Sequence, residues 1–227
     1  MCGRYTLTHE ERLLKQLLEA AFDIYLKPRY NIAPTQPIPI VRIEPHTNRR
    51  HLTFAHWGLI PSWSKDPTIA SKLINARSAT LHEKPSFRGA YKYRRCLIPA
   101  SGFYEWKATT SKGPKTPHYI HMLDHSPFAF AGLWETYLSP DGSEIDTATI
   151  ITNNANTLIN ELHPRMPVIL PQEHFAAWLD PDNQKALSLD ELLAPYPADE
   201  MDYYPVPTTV NNVKNDSPDL IARSSLF

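Results

Sequence analysis

Cys96-Leu97-Ile98-Pro99-Ala100-Ser101-Gly102-Phe103-Tyr104-Glu105-Trp106 places two short apolar and aromatic runs on either side of a Pro-Ala-Ser-Gly break. Neither Cys96–Ile98 nor Phe103–Trp106 is long enough for a helix, and the residues between them are turn formers, so both runs read as strands. The same pattern extends in both directions, through Ile38–Ile43, Leu52–Trp57, His118–Met122, Phe128–Leu133, Thr147–Thr152 and Val168–Leu170. Proline-containing loops and turn pairs such as Asp141-Gly142 separate them. Helical signals sit outside this centre. Thr8 and Glu11 form a capping box ahead of Leu13, Leu14, Leu17, Leu18 and Ala21, which predicts a helix from about Thr8 to Phe22. Two more helices are expected over Gln172–Leu179 and Asn183–Leu193. A strand-rich centre with flanking helices predicts an α+β fold: a single domain over residues 1–227 with a mostly antiparallel, barrel-like β core.

Bulk composition agrees. A chain of 227 residues can bury a sizeable core, it has no internal repeat or Gly/Ser linker, and its 22 prolines are scattered, as in a loop-rich domain. Cys2 and Cys96 are too few for a disulfide framework or a four-cysteine zinc site, and no metal or cofactor is expected. No signal segment or membrane-length apolar run is evident, so the expected home is the cytoplasm or nucleoid, as a monomer. A net charge of -1 argues against a protein that coats duplex DNA through many phosphate contacts. The charge is uneven: Lys84, Arg88, Lys92, Arg94 and Arg95 fall in one stretch without an acid, whereas acids dominate from Asp180 to Asp202. The basic stretch permits an anionic ligand without requiring one.

Cys2 has the most distinctive chemistry. Once Met1 is removed, this residue carries a primary amine and a thiol on adjacent carbons. An amine condenses reversibly with an aldehyde, and the neighbouring thiol can then add to the same carbon and close a five-membered thiazolidine. The pair is a trap for aldehydes.

Further segments are rich in residues that a plain scaffold does not need: Tyr30-Asn31-Ile32-Ala33-Pro34, Trp57-Gly58-Leu59-Ile60-Pro61-Ser62-Trp63, Ile74-Asn75-Ala76-Arg77, Pro99 to Trp106, and His163-Pro164-Arg165-Met166-Pro167. Together with Met1-Cys2-Gly3-Arg4-Tyr5 and Val213-Lys214-Asn215, the ordered set resembles the SOS-response-associated peptidase (SRAP) family, whose members crosslink themselves to abasic sites in single-stranded DNA. The resemblance implies Cys2 as nucleophile, with Asn75, Glu105 and His163 completing the active site. It also implies removal of Met1, by autoproteolysis or equally by a housekeeping aminopeptidase, and a lyase-like activity.

Each implied role has a chemical rationale. An abasic deoxyribose is mostly a closed hemiacetal, so trapping it needs a proton donor and acceptor, and His163 has the side-chain type suited to both near neutrality. Glu105, if strand alternation holds, faces away from Tyr104 and Trp106; on an interior face it can shuttle a proton, on an exterior face it is an ordinary surface acid. The Asn75 amide can orient Cys2 or a sugar hydroxyl without changing charge. Arg4, Arg77 and Arg165 lie within two residues of these positions and are the expected phosphate contacts. Trp63, with Pro34 and Trp106, is expected to stack on or wedge between bases. Trp57 and Trp134 are expected inside, and Cys96 is expected to be an inert core thiol. Two rival readings stand beside this one: a cysteine peptidase or amidase with Cys2 as nucleophile and His163 as base, and a non-enzymatic single-strand binding module.

Overall fold

The computed structural model describes residues 2–20, 22, 24–44, 46–108, 113–183 and 186–224. Chain order begins β1 (Tyr5–Leu7), α1 (Glu11–Leu18), β2 (Arg29–Ile32), β3 (Pro37–Glu44), β4 (Arg49–Trp57), β5 (Asn75–Arg77), α2 (Arg88–Tyr93), β6 (Arg95–Ala100) and β7 (Gly102–Ala108). It continues with β8 (Lys115–Met122), β9 (Phe128–Leu138), β10 (Glu144–Asn154), β11 (Arg165–Pro167), β12 (Ile169–Leu170), α3 (Phe175–Leu179), α4 (Ala186–Glu191) and β13 (Met201–Pro205).

Five of these strands close on themselves. β3 pairs with β4, β4 with β10, β10 with β9, β9 with β6, and β6 with β3, a ring in which only the β4–β10 contact is parallel. Closure leaves no free edge along the ring, which suits strands as apolar as Cys96-Leu97-Ile98. β6 is buried along its whole length because the barrel covers one face and α3 the other, where the Trp178 indole N–H donates to the Cys96 carbonyl at 3.0 Å. Cys96 is thus an inaccessible core thiol. The α+β, mostly antiparallel, barrel-like reading holds.

A second sheet, in the order β13-β8-β7-β1-β2, is antiparallel throughout. Aromatic rings dock it onto the barrel. Tyr5 packs edge-on against Trp57 at 5.4 Å and Phe130 at 5.8 Å, and Phe103 meets Phe130 at 6.0 Å. Trp57 is fully buried, with its indole N–H on the Ile74 carbonyl at 2.9 Å. Trp134 is half-buried, its ring faced by the Arg42 guanidinium at 3.9 Å.

The first helix differs from expectation. It starts at Glu11 and ends at Leu18, Glu10 is its N-cap, and no side chain caps it. Thr8 lies two residues ahead of the N-cap, and its backbone N–H, which a capping box would offer to Glu11, donates to Ser101 Oγ at 2.8 Å and ties the chain to the β6–β7 corner. Glu11 reaches the Leu26 backbone N–H instead of back to Thr8. Ala21, part of the predicted helical stripe, lies outside the described residues. The two later helices form within their expected spans as α3 and α4, shorter than read.

Gly102 sits where a side chain has no room, since a Cβ there would collide with the Tyr119 phenol ring, itself held by Thr6 Oγ1 at 3.0 Å. Gly102→Ala is therefore expected to destabilise the protein by about 1–3 kcal/mol, lowering the melting temperature by about 2–4 °C for each kcal/mol. A melt that superimposes on the wild-type curve would contradict this packing.

Candidate active site

The N-terminal segment reaches the barrel rim through β1, and the Tyr5 ring anchors it. Cys2, three residues earlier, is fully buried. Its carbonyl accepts a hydrogen bond from Asn75 Nδ2 at 2.8 Å, and its thiol donates to the Arg4 carbonyl at 3.9 Å. Burial pushes the thiol pKa well up, and the nearby Glu105 charge pushes it the same way.

Asn75 arrives by a change of partner along β10. The first part of β10 pairs with β4 at Thr147 and Ala148, and then with β5 from Ile150 to Thr152. On its other side β9 gives way to β11, which pairs from Thr152 to Asn154. The end of β10 thus leaves the ring flanked by two three-residue strands, and these carry Asn75, Arg77 and Arg165. Asn75 Oδ1 is buried and makes no hydrogen bond among the described residues. Arg77 stands opposite Thr152 and Arg165 opposite Asn154, and both line a depression of about 330 Å³ with Asn153 at its wall. The Arg165 pKa is lowered, first by partial burial and next by the Arg77 charge, with Glu105 acting in the opposite direction. Two guanidiniums that repel each other beside a hollow gain from an anion placed between them.

Glu105 comes from β7 and is buried. Tyr104 and Trp106 lie in contact on the opposite face, with ring centroids 6.4 Å apart, so of the two alternatives the interior face is the one occupied. Its cross-strand partner is His118, a buried histidine that the sequence reading passed over and whose pKa is lowered, chiefly by burial. The β7–β8 register alone puts these two side chains on one face. Lys107 shares that face and meets Glu161 at 3.9 Å, while Tyr203 Oη donates to Glu161 at 2.7 Å. These contacts moor the loop that carries His163. The imidazole is half-buried, and its Nδ1 lies 3.0 Å from the Arg165 N–H and 3.1 Å from the Arg165 carbonyl. Nδ1 accepts from the first or donates to the second according to the ring's tautomer, and the contact holds the ring in place.

The remaining predicted contacts are distributed differently. Arg4 is half-buried and donates to Asn31 Oδ1 at 2.7 Å and to the carbonyls of Val210 and Asn211 at 2.8 and 3.3 Å. It is woven into the scaffold more than Arg77, which is exposed. Trp106 is also tied to this region, through its indole N–H to Asn211 Oδ1 at 2.8 Å. Asn31 has no chemical role evident from the sequence alone. It is buried, and its Nδ2 lies 3.2, 3.1 and 2.8 Å from the carbonyls of Val210, Asn212 and Asn215. It clamps the C-terminal loop onto β2, and so brings the Tyr30–Pro34 and Val213–Asn215 segments together. Pro34 is half-buried, followed by Thr35 at φ 70, a left-handed conformation that is unfavourable for a β-branched residue. Trp63 is 60% exposed on its loop. Among the described residues, no cluster of three or more His, Cys, Asp or Glu side chains is arranged to hold a metal ion, and no helix is long and apolar enough to cross a membrane.

Fold and site together define a class: a mixed β-barrel in which Cys2 is held by Asn75 close to Glu105, and in which β5 and β11 line a hollow with Arg77 and Arg165. The family model described as SOS response associated peptidase (SRAP) matches residues 1–213, and the chain belongs to that family. It is 45% identical over 224 residues to the abasic site processing protein YoqW of Bacillus subtilis (strain 168), covering 97% of this chain and 99% of that one. It is 32% identical to the abasic site processing protein HMCES of Xenopus tropicalis, over 86% of this chain and 66% of the other. A crystal structure of a protein from Bacteroides thetaiotaomicron aligns with a TM-score of 0.87 at 27% identity, over 99% of this chain and all of that one.

Both cysteines are held neutral by burial, Cys2 with the added push from Glu105. In the unfolded chain they ionise near pH 8.5, so above that pH the folded state binds more protons and stability falls as pH rises. The loss approaches about 2.7 kcal/mol per pH unit when both thiols are ionised in the unfolded state only. Denaturant melts between about pH 7.5 and 9, where the thiols ionise ahead of most tyrosines, are expected to show the onset of this decline. A Cys2→Ala/Cys96→Val variant should flatten it.

Proposed function

We propose that this chain processes abasic sites in single-stranded DNA by capturing the sugar aldehyde covalently on Cys2. With Met1 removed, the Cys2 amine attacks the open-chain aldehyde and water leaves, giving an imine. The thiol then adds to the imine carbon, its proton passing to the nearby Glu105, and the nitrogen takes up a proton as the thiazolidine closes. The observation that carries this reading is the hold on Cys2: Asn75 fixes its carbonyl while Glu105 acts on its thiol. The names of the relatives, abasic site processing proteins, supply the substrate class.

The other residues take roles that fit their positions. His163, held in place through its Nδ1, assists opening of the hemiacetal ring. Asn75 Oδ1, a buried acceptor, receives a hydrogen bond from the freed amine or a sugar hydroxyl. Arg77 and Arg165 hold the adjoining phosphates, with Arg4 shaping the surface beside them, and Trp63, Pro34 and Trp106 contact the bases. A cysteine peptidase is the weaker reading. Such enzymes lower the thiol pKa with a neighbouring imidazolium, whereas burial and Glu105 raise it here.

Mixing the Met1-free protein with an abasic single-stranded oligonucleotide should give one heat-stable 1:1 adduct, lighter by one water than its two components, in the intact mass spectrum. Cys2→Ala is expected to abolish it, and Cys2→Ser to leave at most a labile imine. Retention of Met1 should be as damaging, and a heat-stable adduct formed at normal yield by the Met1-retaining chain would sink the thiazolidine chemistry. Released product without an adduct would favour the peptidase.

His163→Ala is expected to slow single-turnover crosslinking of the abasic substrate by about 10²–10⁴-fold while leaving affinity nearly unchanged. A simple free aldehyde has no hemiacetal to open and should be far less affected. Equal losses on both substrates would place His163 on Cys2 or on a later proton transfer.

A further inference from the structure

The basic stretch of the sequence is divided by the fold. Arg95 is buried and spends its guanidinium on the carbonyls of Trp178, Tyr91, Lys92, Asp180 and Asn183. Arg94 pairs with Glu135 at 2.7 Å. Lys84, Arg88 and Lys92 are left exposed, and none of the three makes an ion pair among the described residues. Arg88 and Lys92 lie one turn apart on α2, about 6 Å along its axis, and Lys84 sits in the turn that leads into it, its carbonyl accepting from the Arg88 N–H.

Exposed aromatic rings flank this stripe. Trp63, Arg88 and Gly89 help line one depression of about 210 Å³, and Arg88, Gly89, Lys92 and Tyr93 line the adjoining one of about 400 Å³, so Arg88 and Gly89 form the shared wall. Tyr93 is 51% exposed and Trp63 60%. Nearby acids are largely spoken for: Asp190 accepts from Tyr91 Oη and faces His82, and Glu135 is held by Arg94, although Glu83 is exposed next to Lys84. The stripe also follows the site along the chain: after Arg77 comes the turn Ser78–Thr80, and Lys84 lies four residues beyond it.

A row of cations without ion pairs, Lys92 lying over the Tyr93 ring at 5.1 Å, beside exposed aromatic rings matches a single strand, which offers phosphates in series and bases free to stack. We propose that Lys84, Arg88 and Lys92 bind successive phosphates of the single strand flanking the abasic nucleotide, with Tyr93 beneath a base. This inference rests on the proposed function, which it extends from the reacting sugar to the neighbouring strand.

The test uses the Met1-free full chain and two abasic single strands, one of about 6 nucleotides and one of about 20, the longer made with its extension on either side. Wild type should bind one of the longer strands more tightly and with steeper salt dependence. Lys84→Ala/Arg88→Ala/Lys92→Ala should lose that gain, with the log–log salt slope on the long strand falling by about 2, three phosphates at about 0.7 each. Adduct yield and affinity on the short strand should not change. Tyr93→Ala should weaken long-strand binding without altering the slope, which separates stacking from charge. An unchanged slope in the triple variant would overturn the inference, as would a loss that appears only when the extension is made duplex. Absence of any adduct with wild type on either strand would instead strike the proposed function, so the two failures are distinguishable.

Discussion

Every backbone group of β10 must find a partner, and the structure turns on how it does so. Its first half is paired with β9 on one side and, at Thr147 and Ala148, with β4 on the other, but both pairings stop before β10 does. The exposed remainder recruits β5 and β11, segments too short to be stable alone, and gives each a fixed register. Asn75, Arg77 and Arg165 therefore occupy set positions around one strand end. The cationic hollow follows from a demand for hydrogen bonds more than from any attraction among its side chains, two of which repel each other.

Burial sets the chemistry that this geometry permits. Cys2 is enclosed with its thiol neutral, and Glu105 on the neighbouring sheet reinforces that state. A neutral thiol beside a carboxylate is inert toward most electrophiles, yet it can yield its proton at the moment of addition to an imine. The same enclosure makes the backbone around Cys2 part of the site, since the Asn75 amide holds the residue by its carbonyl. Anchoring by Tyr5, packed between Trp57 and Phe130, keeps this arrangement from depending on the mobility usual at a chain end.

The second sheet does more than support the barrel. Its β7 strand delivers Glu105, its Lys107 and Tyr203 moor the His163 loop through Glu161, and the C-terminal loop clamped by Asn31 covers its other face. Segments nearly the whole chain apart meet here. Arg4 and Val210 are 206 residues apart in sequence and joined at 2.8 Å.

Long strands were legible from composition: Ile38–Ile43 or Phe128–Leu133 carry enough β-forming residues to specify a strand, and their number implied a barrel-like core. The interior direction of Glu105 was half legible, because alternation put it opposite Tyr104 and Trp106 but could not say which face was inside. The capping box at Thr8 misled, since Ser101, 93 residues on, holds the N–H that the box would have given to Glu11. Tyr5–Leu7, Arg29–Ile32, Asn75–Arg77, Arg165–Pro167 and Met201–Pro205 went unseen as strands. Several of them have little intrinsic preference for the conformation, and they adopt it only when a partner edge is present. What the sequence determined alone was the local pattern and the reactive pair latent in Cys2. The tertiary structure decided which side chains meet at that residue, because strand pairing across long separations is fixed by hydrogen bonds to neighbours that no short window of sequence contains.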